Sequence, residues 1–197
     1  MEPNYKSWEI DYGSFYRQKS FHDQLAFLIK FGVLAPSSHN SQPWKFVIED
    51  SAIRIMPESG RALPVSDSER RHLHIALGCV IENLCIAGDY YGLSAKAVLF
   101  PEEDSNAVAR VYFEFQAVSN KDPRHLIFTI PKRRVNRTSY DGQMPDDALL
   151  RRFKNFSDEN IRIDILTDQK QKEAIADILM ASRLKAFSNP DFRKELS

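Results

Sequence analysis

The sequence has few glycines, and those it has are scattered. The seven are spread along the 197 residues, at Gly13, Gly32, Gly60, Gly78, Gly88, Gly92 and Gly142. A Rossmann dinucleotide site needs G-x-G-x-x-G where its first helix begins, and a P-loop needs G-x-x-x-x-G-K-[ST]. Neither pattern can be written from these positions, so the sequence argues against both kinds of nucleotide-binding site.

Cysteine and histidine patterns that would indicate catalysis or metal binding are missing as well. Cys79 and Cys85 are the only cysteines, and six positions on a helix place them about 240° apart, which predicts small buried residues rather than a disulfide. His72 and His74 point nearly opposite ways on the same predicted helix, and H-E-x-x-H is absent, so no metal site is expected. The serine hydrolase elbow G-x-S-x-G is absent too, although two serines precede His39 directly.

The chain also lacks an excess of charge and a long apolar run. Its 27 Lys and Arg residues balance 27 Asp and Glu residues, so nothing predicts a nucleic-acid partner or an anionic membrane surface. The longest apolar run, Ile75 to Ile81, is far shorter than the roughly 20 residues of a spanning helix. The first residues lack the basic and apolar stretches of a signal peptide. We therefore expect no membrane partner and a cytoplasmic location.

What is present predicts an α+β fold. A helix is predicted over Asp23 to Leu34, then a hairpin from KFVIED and AIRIMPE. A long helix follows, with Ser66 and Glu69 in capping-box spacing and a stop at Gly92. Its middle is apolar on every side, which predicts a helix inside the protein or in an interface. AKAVLF and ARVYFEFQA then predict two more strands. Helices mixed with hairpins favour an antiparallel or mixed sheet flanked by helices, around a long buried central helix.

A second segment opens at PKRRVNRTSYDGQMPDDALLRRF. Pro145 is predicted as a first helical residue, followed by acids that suit a helix start. A strand, IRIDIL, and a helix from about Asp168 to Phe187 come next. No linker long enough to separate independent domains is present.

Two short motifs carry a resemblance to a known family. The stretch APSSHNSQPWKF resembles the A-P-S-x-x-N-x-Q-P-W segment of the flavin-dependent nitroreductase superfamily, and RRVNR resembles its R-R-S-x-R phosphate motif. The two motifs stand in inverted order here. With RALPVSDSERRHLHIALGCVIENLCIAG and NRTSYDGQMPDDAL, that order is similar to the Acg-type branch of FMN-binding oxidoreductases, in which two nitroreductase-like halves are fused in one polypeptide and hold one flavin between them.

The resemblance implies a division of the chain and a cofactor. Residues 1–20 become an N-terminal extension, 21–130 a first nitroreductase-like half, and 131–197 the start of a second, incomplete half. The implied cofactor is FMN, with NAD(P)H as co-substrate and a nitro compound, quinone or similar small molecule as electron acceptor. The implied cofactor-binding residues are Pro36, Ser37, Ser38, Asn40, Arg133, Arg134 and Arg137. No catalytic side chain is expected, since the flavin carries the chemistry.

Each of these residues also has a purely structural interpretation. A loop rich in Pro, Ser and Asn is typical of a helix end followed by a turn, and an arginine cluster is typical of a solvated surface. Trp44 is expected to anchor the loop in the core rather than to stack on flavin. Val135 departs from the family pattern, because it replaces the hydroxyl residue of the arginine motif. His39 is expected to face solvent, without an assigned role.

Three functional hypotheses follow. The first is an FMN-dependent NAD(P)H oxidoreductase. The second is a protein that binds or sequesters flavin without turnover, and the third is an incomplete fold that binds nothing. The resemblance implies a monomeric pseudo-dimer if the chain continues, whereas this short chain is expected to form a homodimer if two copies rebuild the missing half.

Overall fold

The computed structural model describes residues 3–116 and 126–196, and the side chains from residue 6 onward. The chain divides into two compact units, one reaching to Arg134 and the other covering residues 135–195. The first unit holds the whole hydrophobic core. Both arginines of the RR pair belong to this unit, whereas Arg137 belongs to the second.

Among its described residues, the first unit contains two α-helices and one four-stranded sheet, besides short 3-10 helices. Helix α1 spans Phe21–Gly32, and strands β1 and β2 span Trp44–Ile48 and Ala52–Pro57. Helix α2 spans Arg71–Tyr90, and strands β3 and β4 span Leu93–Leu99 and Ala109–Phe115. The sheet order is β1-β2-β4-β3 and every pairing is antiparallel. The predicted α+β class, both hairpins and the long central helix are confirmed. The predicted end of the last strand, Ala117, lies outside the described residues.

The sheet has one apolar face and one charged face. Ile53, Ile55, Val111 and Phe113 are fully or almost fully buried. Alternate positions on β2 and β4 carry Arg54 and Arg110, which stand directly opposite each other in the register. Because side chains alternate along a strand, the apolar residues share the face that packs on the helices.

Helix α1 is confirmed, but it begins and ends two residues earlier than the predicted Asp23 to Leu34. The Ser20 side chain accepts a hydrogen bond from the backbone N–H of Asp23 at 3.0 Å, a normal N-cap. Leu25, Leu28 and Phe31 are fully buried. The helix stops at Gly32, four residues before Pro36.

Helix α2 differs from its prediction at its start. The capping box expected from Ser66 and Glu69 does not form; instead Asp67 caps the helix, accepting from the N–H groups of His72 at 3.0 Å and Leu73 at 2.8 Å. The difference arises because Arg70 adopts a left-handed conformation with φ of 57°. That turn moves the helix start beyond Glu69.

One side of α2 is buried in the first unit, whereas the apolar residues on every side of its middle predict a helix inside the protein or in an interface. Leu77, Val80 and Leu84 are fully buried, whereas Ile75 is 57% exposed. By length and composition alone this helix could cross a membrane. Its close contact with the sheet identifies it as a core helix: a Cβ added at Gly88 would lie 2.8 Å from the Phe113 ring.

The N-terminal residues pack onto this core as two 3-10 helices, Pro3–Trp8 and Tyr12–Arg17. Phe15 is 2% exposed and its ring stacks on that of Tyr91 at 4.0 Å. The Tyr91 hydroxyl donates to the Tyr12 carbonyl at 3.1 Å. The predicted extension is therefore tied into the first unit.

The second unit contains three helices, α3 (Asp147–Lys154), α4 (Gln169–Ser188) and α5 (Pro190–Glu195). Asp146 caps α3, accepting from Leu149 at 2.7 Å, so Pro145 precedes the cap rather than opening the helix. The strand predicted at IRIDIL is wrong, because within the described residues this segment pairs with no other strand. An alternating sequence alone does not form a strand when no neighbouring strand pairs with it.

Candidate functional site

The loop that follows α1 has an unusual backbone. Ser38–Asn40 forms a short 3-10 turn, and His39, Asn40 and Gln42 have φ angles of 52°, 54° and 51°. For residues other than glycine, this left-handed region is sparsely populated and costs about 1–2 kcal/mol per residue. Three such residues within four positions persist only if the surroundings hold them.

Hydrogen bonds within the loop stabilise this backbone conformation. The Ser37 hydroxyl oxygen accepts from the Gln42 N–H at 2.9 Å, and the Asn40 N–H donates to the Ser37 carbonyl at 3.1 Å. Trp44 is 9% exposed and belongs to the core, which confirms its predicted anchoring. The loop is therefore a fixed surface feature.

The fixed loop presents polar groups outward. Asn40 is exposed and Ser38 half-buried, and neither side chain has a hydrogen-bond partner among the described residues. Pro36 and His39 are exposed, His39 as predicted. Ser37 uses its oxygen as an acceptor within the loop, so its own O–H group is what it can offer to a ligand. Besides the prolyl ring and the His39 imidazole, this loop offers hydroxyl and amide groups.

Arg133 lies beside this loop. Its Nη2 donates to the carbonyl of Leu34 at 3.4 Å, across 99 positions of sequence. Leu34 comes immediately before the Ala35–Phe46 stretch, so the fold brings the first arginine of RRVNR to the start of APSSHNSQPWKF. Arg133 is half-buried, and a single long hydrogen bond leaves its other guanidinium N–H groups free for a further anionic partner.

The other two arginines are placed differently. Arg134 donates to the carbonyls of Pro131 at 2.8 Å and of Arg133 at 2.9 Å, and its Cζ lies 4.5 Å from the centre of the Trp8 ring. Arg137 is exposed in the second unit. Of the two arginines in the first unit, Arg133 is therefore the one with a recorded hydrogen bond to the start of the loop.

A small cleft adjoins the loop. Ser38 and Ser41 line it together with Arg61, Asp67 and His72. The Arg61 Nη1 reaches the Gln42 carbonyl at 3.5 Å. The sequence contains Arg61 in the stretch RALP, but no spacing or pattern within it indicates a role beside the loop.

Cys79 on α2 lies near Arg133. Burial raises the pKa of the Cys79 thiol, and the positive charge of Arg133 only partly opposes that rise. Burial likewise raises the pKa of Cys85 to about 12. Both thiols are free and stay protonated at neutral pH, so neither is an activated nucleophile. No cluster of three metal-ligating side chains occurs within residues 3–116 and 126–196.

No protein-family model matches the chain, but several curated proteins are similar to it. The "Putative NAD(P)H nitroreductase acg" of Mycobacterium tuberculosis H37Rv is 24% identical over 170 residues, which cover 85% of this chain and 51% of that protein. The "Uncharacterized protein Rv3127" of the same strain is 24% identical over 168 residues, covering 82% and 48%. The "Putative NAD(P)H nitroreductase Rv3131" is 25% identical over 113 residues, covering 57% and 33%.

These similarities support a nitroreductase-like family for the chain, and the observed α+β architecture is compatible with that fold. The chain spans about half the length, or less, of the curated relatives it matches.

Proposed function

We propose that this protein is an FMN-binding, nitroreductase-like oxidoreductase that takes electrons from NADH or NADPH and delivers them to a nitro compound, quinone or similar small acceptor. The observation that carries the proposal is the contact between Arg133 and the Leu34 carbonyl. It brings together the two motifs on which the resemblance to flavin-dependent nitroreductases rests. The names of two similar mycobacterial proteins point to the same reaction class.

The residues around this contact suit the polar parts of FMN. A phosphate monoester carries nearly two negative charges, and a guanidinium can bind it through two parallel hydrogen bonds. Arg133 offers such a fork. Ser37, Ser38 and Asn40 present hydroxyl and amide groups that match the ribityl hydroxyls and the pyrimidine edge, and Pro36 adds an apolar surface.

The chain's own contribution would be binding and orientation. A bound flavin supplies the redox chemistry, accepting electrons from the nicotinamide and passing them to the acceptor. The half-buried, protonated thiols of Cys79 and Cys85 offer no competing nucleophile. The strained loop backbone fixes its polar groups before the ligand arrives, which reduces the entropy lost on binding.

The assembly around the flavin is also proposed rather than observed. In the Acg-type arrangement that the sequence resembles, two nitroreductase-like halves enclose one flavin. We propose that a second half is provided either by further residues of the same polypeptide, giving a monomer, or by a second copy of this chain, giving a homodimer. From the resemblance alone, Arg137 is proposed as a further phosphate-binding residue.

The test is direct. The purified protein is mixed with FMN, excess flavin is removed by ultrafiltration, and the retained yellow absorbance is measured. We expect FMN to be retained and then bleached when NADH or NADPH is added without oxygen. Light scattering on the same sample gives the number of chains per flavin.

Two other results would contradict the proposal in different ways. Protein that stays colourless after incubation with FMN would overturn the binding site. Retained FMN that neither nicotinamide reduces would instead support the alternative hypothesis, a protein that binds or sequesters flavin without turnover.

A further inference from the structure

Arg134 is held by the protein itself on two sides. Its Nη1 donates to two carbonyls in its own segment, those of Pro131 and Arg133. Its Cζ lies 4.5 Å from the centre of the Trp8 ring. An indole face attracts a guanidinium through its quadrupole, and tryptophan is the best of the aromatic partners. The Arg134 side chain is therefore folded back on its own motif and on the N-terminal segment.

These contacts fix the backbone of the neighbouring Arg133. The Arg133 N–H donates to the carbonyls of Thr129 at 2.9 Å and Ile130 at 3.3 Å, while its own carbonyl accepts from Arg134 at 2.9 Å. The peptide groups on both sides of its Cα are thus restrained. What remains free is its guanidinium, with its one long hydrogen bond to Leu34.

Trp8 is itself a fixed platform. Its ring is half-buried against the core. The next turn of the chain is fastened by the stacking of Phe15 on Tyr91 and by the hydrogen bond from the Tyr91 hydroxyl to Tyr12. The N-terminal segment therefore connects the core to Arg134.

We infer that Trp8 and Arg134 form a positioning pair that holds Arg133 toward the loop after α1, and that Arg133 rather than Arg134 binds the phosphate of FMN. The inference rests on the function proposed above. At Arg134 the Nη1 group is engaged by two carbonyls and the guanidinium lies over the Trp8 ring, so the side chain is turned toward its own segment. At Arg133 the recorded bond is a single one of 3.4 Å at the start of the loop, and such a long bond is easily exchanged for charge-assisted bonds to a phosphate.

The experiment compares FMN with riboflavin, which lacks the phosphate. Dissociation constants are measured from flavin fluorescence for the full chain and its variants. Wild-type protein is expected to prefer FMN, and Arg133→Met is expected to weaken FMN binding about 10- to 100-fold while leaving riboflavin binding unchanged, as for a lost bond to a charged group. Lys132→Met removes the adjacent exposed cation and is the matched control, with both constants unchanged.

Variants of the positioning pair are expected to change FMN binding differently from Arg133→Met. Arg134→Met and Trp8→Leu are each expected to weaken FMN binding about two- to fivefold, the range of an exposed cation–π contact. The double variant is expected to be no weaker than either single variant, because the two residues act through one contact. Arg134→Lys is expected to behave like Arg134→Met, since lysine keeps the charge but lacks the planar fork.

A measurement without ligand shows whether the pair exists in the folded protein. In a Trp44→Phe background, Trp8 is the only tryptophan, and its emission is expected to shift with Arg134→Met but not with Lys132→Met. Circular dichroism confirms that each variant is folded. An unchanged emission in Arg134→Met overturns the pair.

The remaining outcomes separate this inference from the proposed function. If wild-type protein binds neither FMN nor riboflavin, the proposed function fails and the role of the pair fails with it. If wild-type protein binds FMN but Arg134→Lys restores what Arg134→Met loses, or the losses at Trp8 and Arg134 add, only the positioning role is overturned, and Arg134 is a direct phosphate ligand.

Discussion

The side-chain amide of Asn83 donates a hydrogen bond to the backbone carbonyl of Phe31 at 3.0 Å. This bond joins the middle of α2 to the last turn of α1, three residues before Leu34, whose carbonyl meets Arg133. It therefore supports the point at which α1 gives way to the polar loop.

We expect Asn83→Ala to lower the free energy of unfolding by about 1 kcal/mol, the usual net value of one partly buried hydrogen bond. A chain of this size would then melt about 2–4 °C lower. Thermal unfolding followed by circular dichroism measures the shift. Glu82→Ala, one position earlier and exposed, is the control, and a loss there as large as that of Asn83→Ala would argue against the hydrogen bond.

Two glycines of α2 should respond to alanine in opposite directions. At Gly88 an added Cβ would lie 2.8 Å from the Phe113 ring, whereas at Gly78 it meets nothing within 4 Å. We expect Gly88→Ala to destabilise the protein by about 1–3 kcal/mol through overpacking. Gly78→Ala should stabilise it by about 0.5–1 kcal/mol through the better helix propensity of alanine. Urea unfolding midpoints test both, and equal signs would show that α2 is packed differently.

In the loop after α1, glycine should be more stabilising than alanine, the reverse of the order expected at Gly78. His39 has a φ of 52° and its side chain is exposed. We expect His39→Gly to be more stable than His39→Ala by about 1 kcal/mol, because only glycine adopts left-handed φ without a steric cost. Thermal melts of the two variants make the comparison. If the alanine variant were the more stable one, the loop would not adopt this conformation.

The cap of α2 predicts a specific pH dependence. Burial disfavours the charged form of Asp67, but hydrogen bonds from the N–H groups of His72 and Leu73 outweigh it, so the pKa of Asp67 lies below its usual value of 3.8. A carboxyl whose pKa is lower in the folded state stabilises that state above the unfolded pKa, and the stabilisation is lost as the pH falls through the folded pKa.

We therefore expect Asp67→Asn to cost about 1 kcal/mol at neutral pH, the usual net value of one hydrogen bond, because the amide NH2 that replaces one carboxylate oxygen cannot accept from a backbone N–H. The difference from wild type should shrink as the pH falls below the usual carboxyl value of 3.8. Urea unfolding of both proteins from neutral to acidic pH tests this. A difference that stays constant over the whole range would mean that the charge of Asp67 does not contribute.

Local patterns in the sequence are enough to predict most of the helices and strands, and to identify the loop after α1. The helical spacing of Leu25 and Leu28 and the special residues of the loop are signals within a few positions. The contact between Trp8 and Arg134 has no such signal, because it joins residues from opposite ends of the first unit. IRIDIL was misjudged for a related reason, since a strand depends on a partner that alternation does not reveal.

The start of α2 shows why the capping residue of a helix is hard to predict from the sequence. Ser66, Asp67 and Glu69 are all acceptable capping residues, and the sequence pattern favoured the Ser66 and Glu69 pair. Because Arg70 adopts a left-handed conformation, Asp67 rather than Ser66 caps the helix. A non-glycine residue in that conformation is not predictable from its type, because it depends on the surrounding contacts.

On the charged face of the sheet one carboxylate, that of Glu49, contacts two arginines. Arg54 also pairs with Asp104 at 2.7 Å. Arg54 and Arg110 stand opposite each other on β2 and β4, and like charges so placed repel. Glu49 bridges them, with Oε1 at 3.3 Å from the Arg54 Nε and Oε2 at 3.0 Å from the Arg110 Nε. The Arg110 side chain is only 15% exposed, so water compensates poorly for a lost partner.

We expect Glu49→Gln to lower the free energy of unfolding by about 1–2 kcal/mol, more than an exposed ion pair is worth, because it leaves two neighbouring guanidinium groups without their shared counter-charge. Glu103→Gln is the matched control: Glu103 also pairs with Arg110, at 3.0 Å, but its side chain is 64% exposed, so its loss should cost less than about 1 kcal/mol. Urea unfolding at low and high salt measures both. Added salt should reduce the cost at Glu103 more than the cost at Glu49, since half-buried pairs are screened less, and equal costs at the two positions would show that the bridge has no special role.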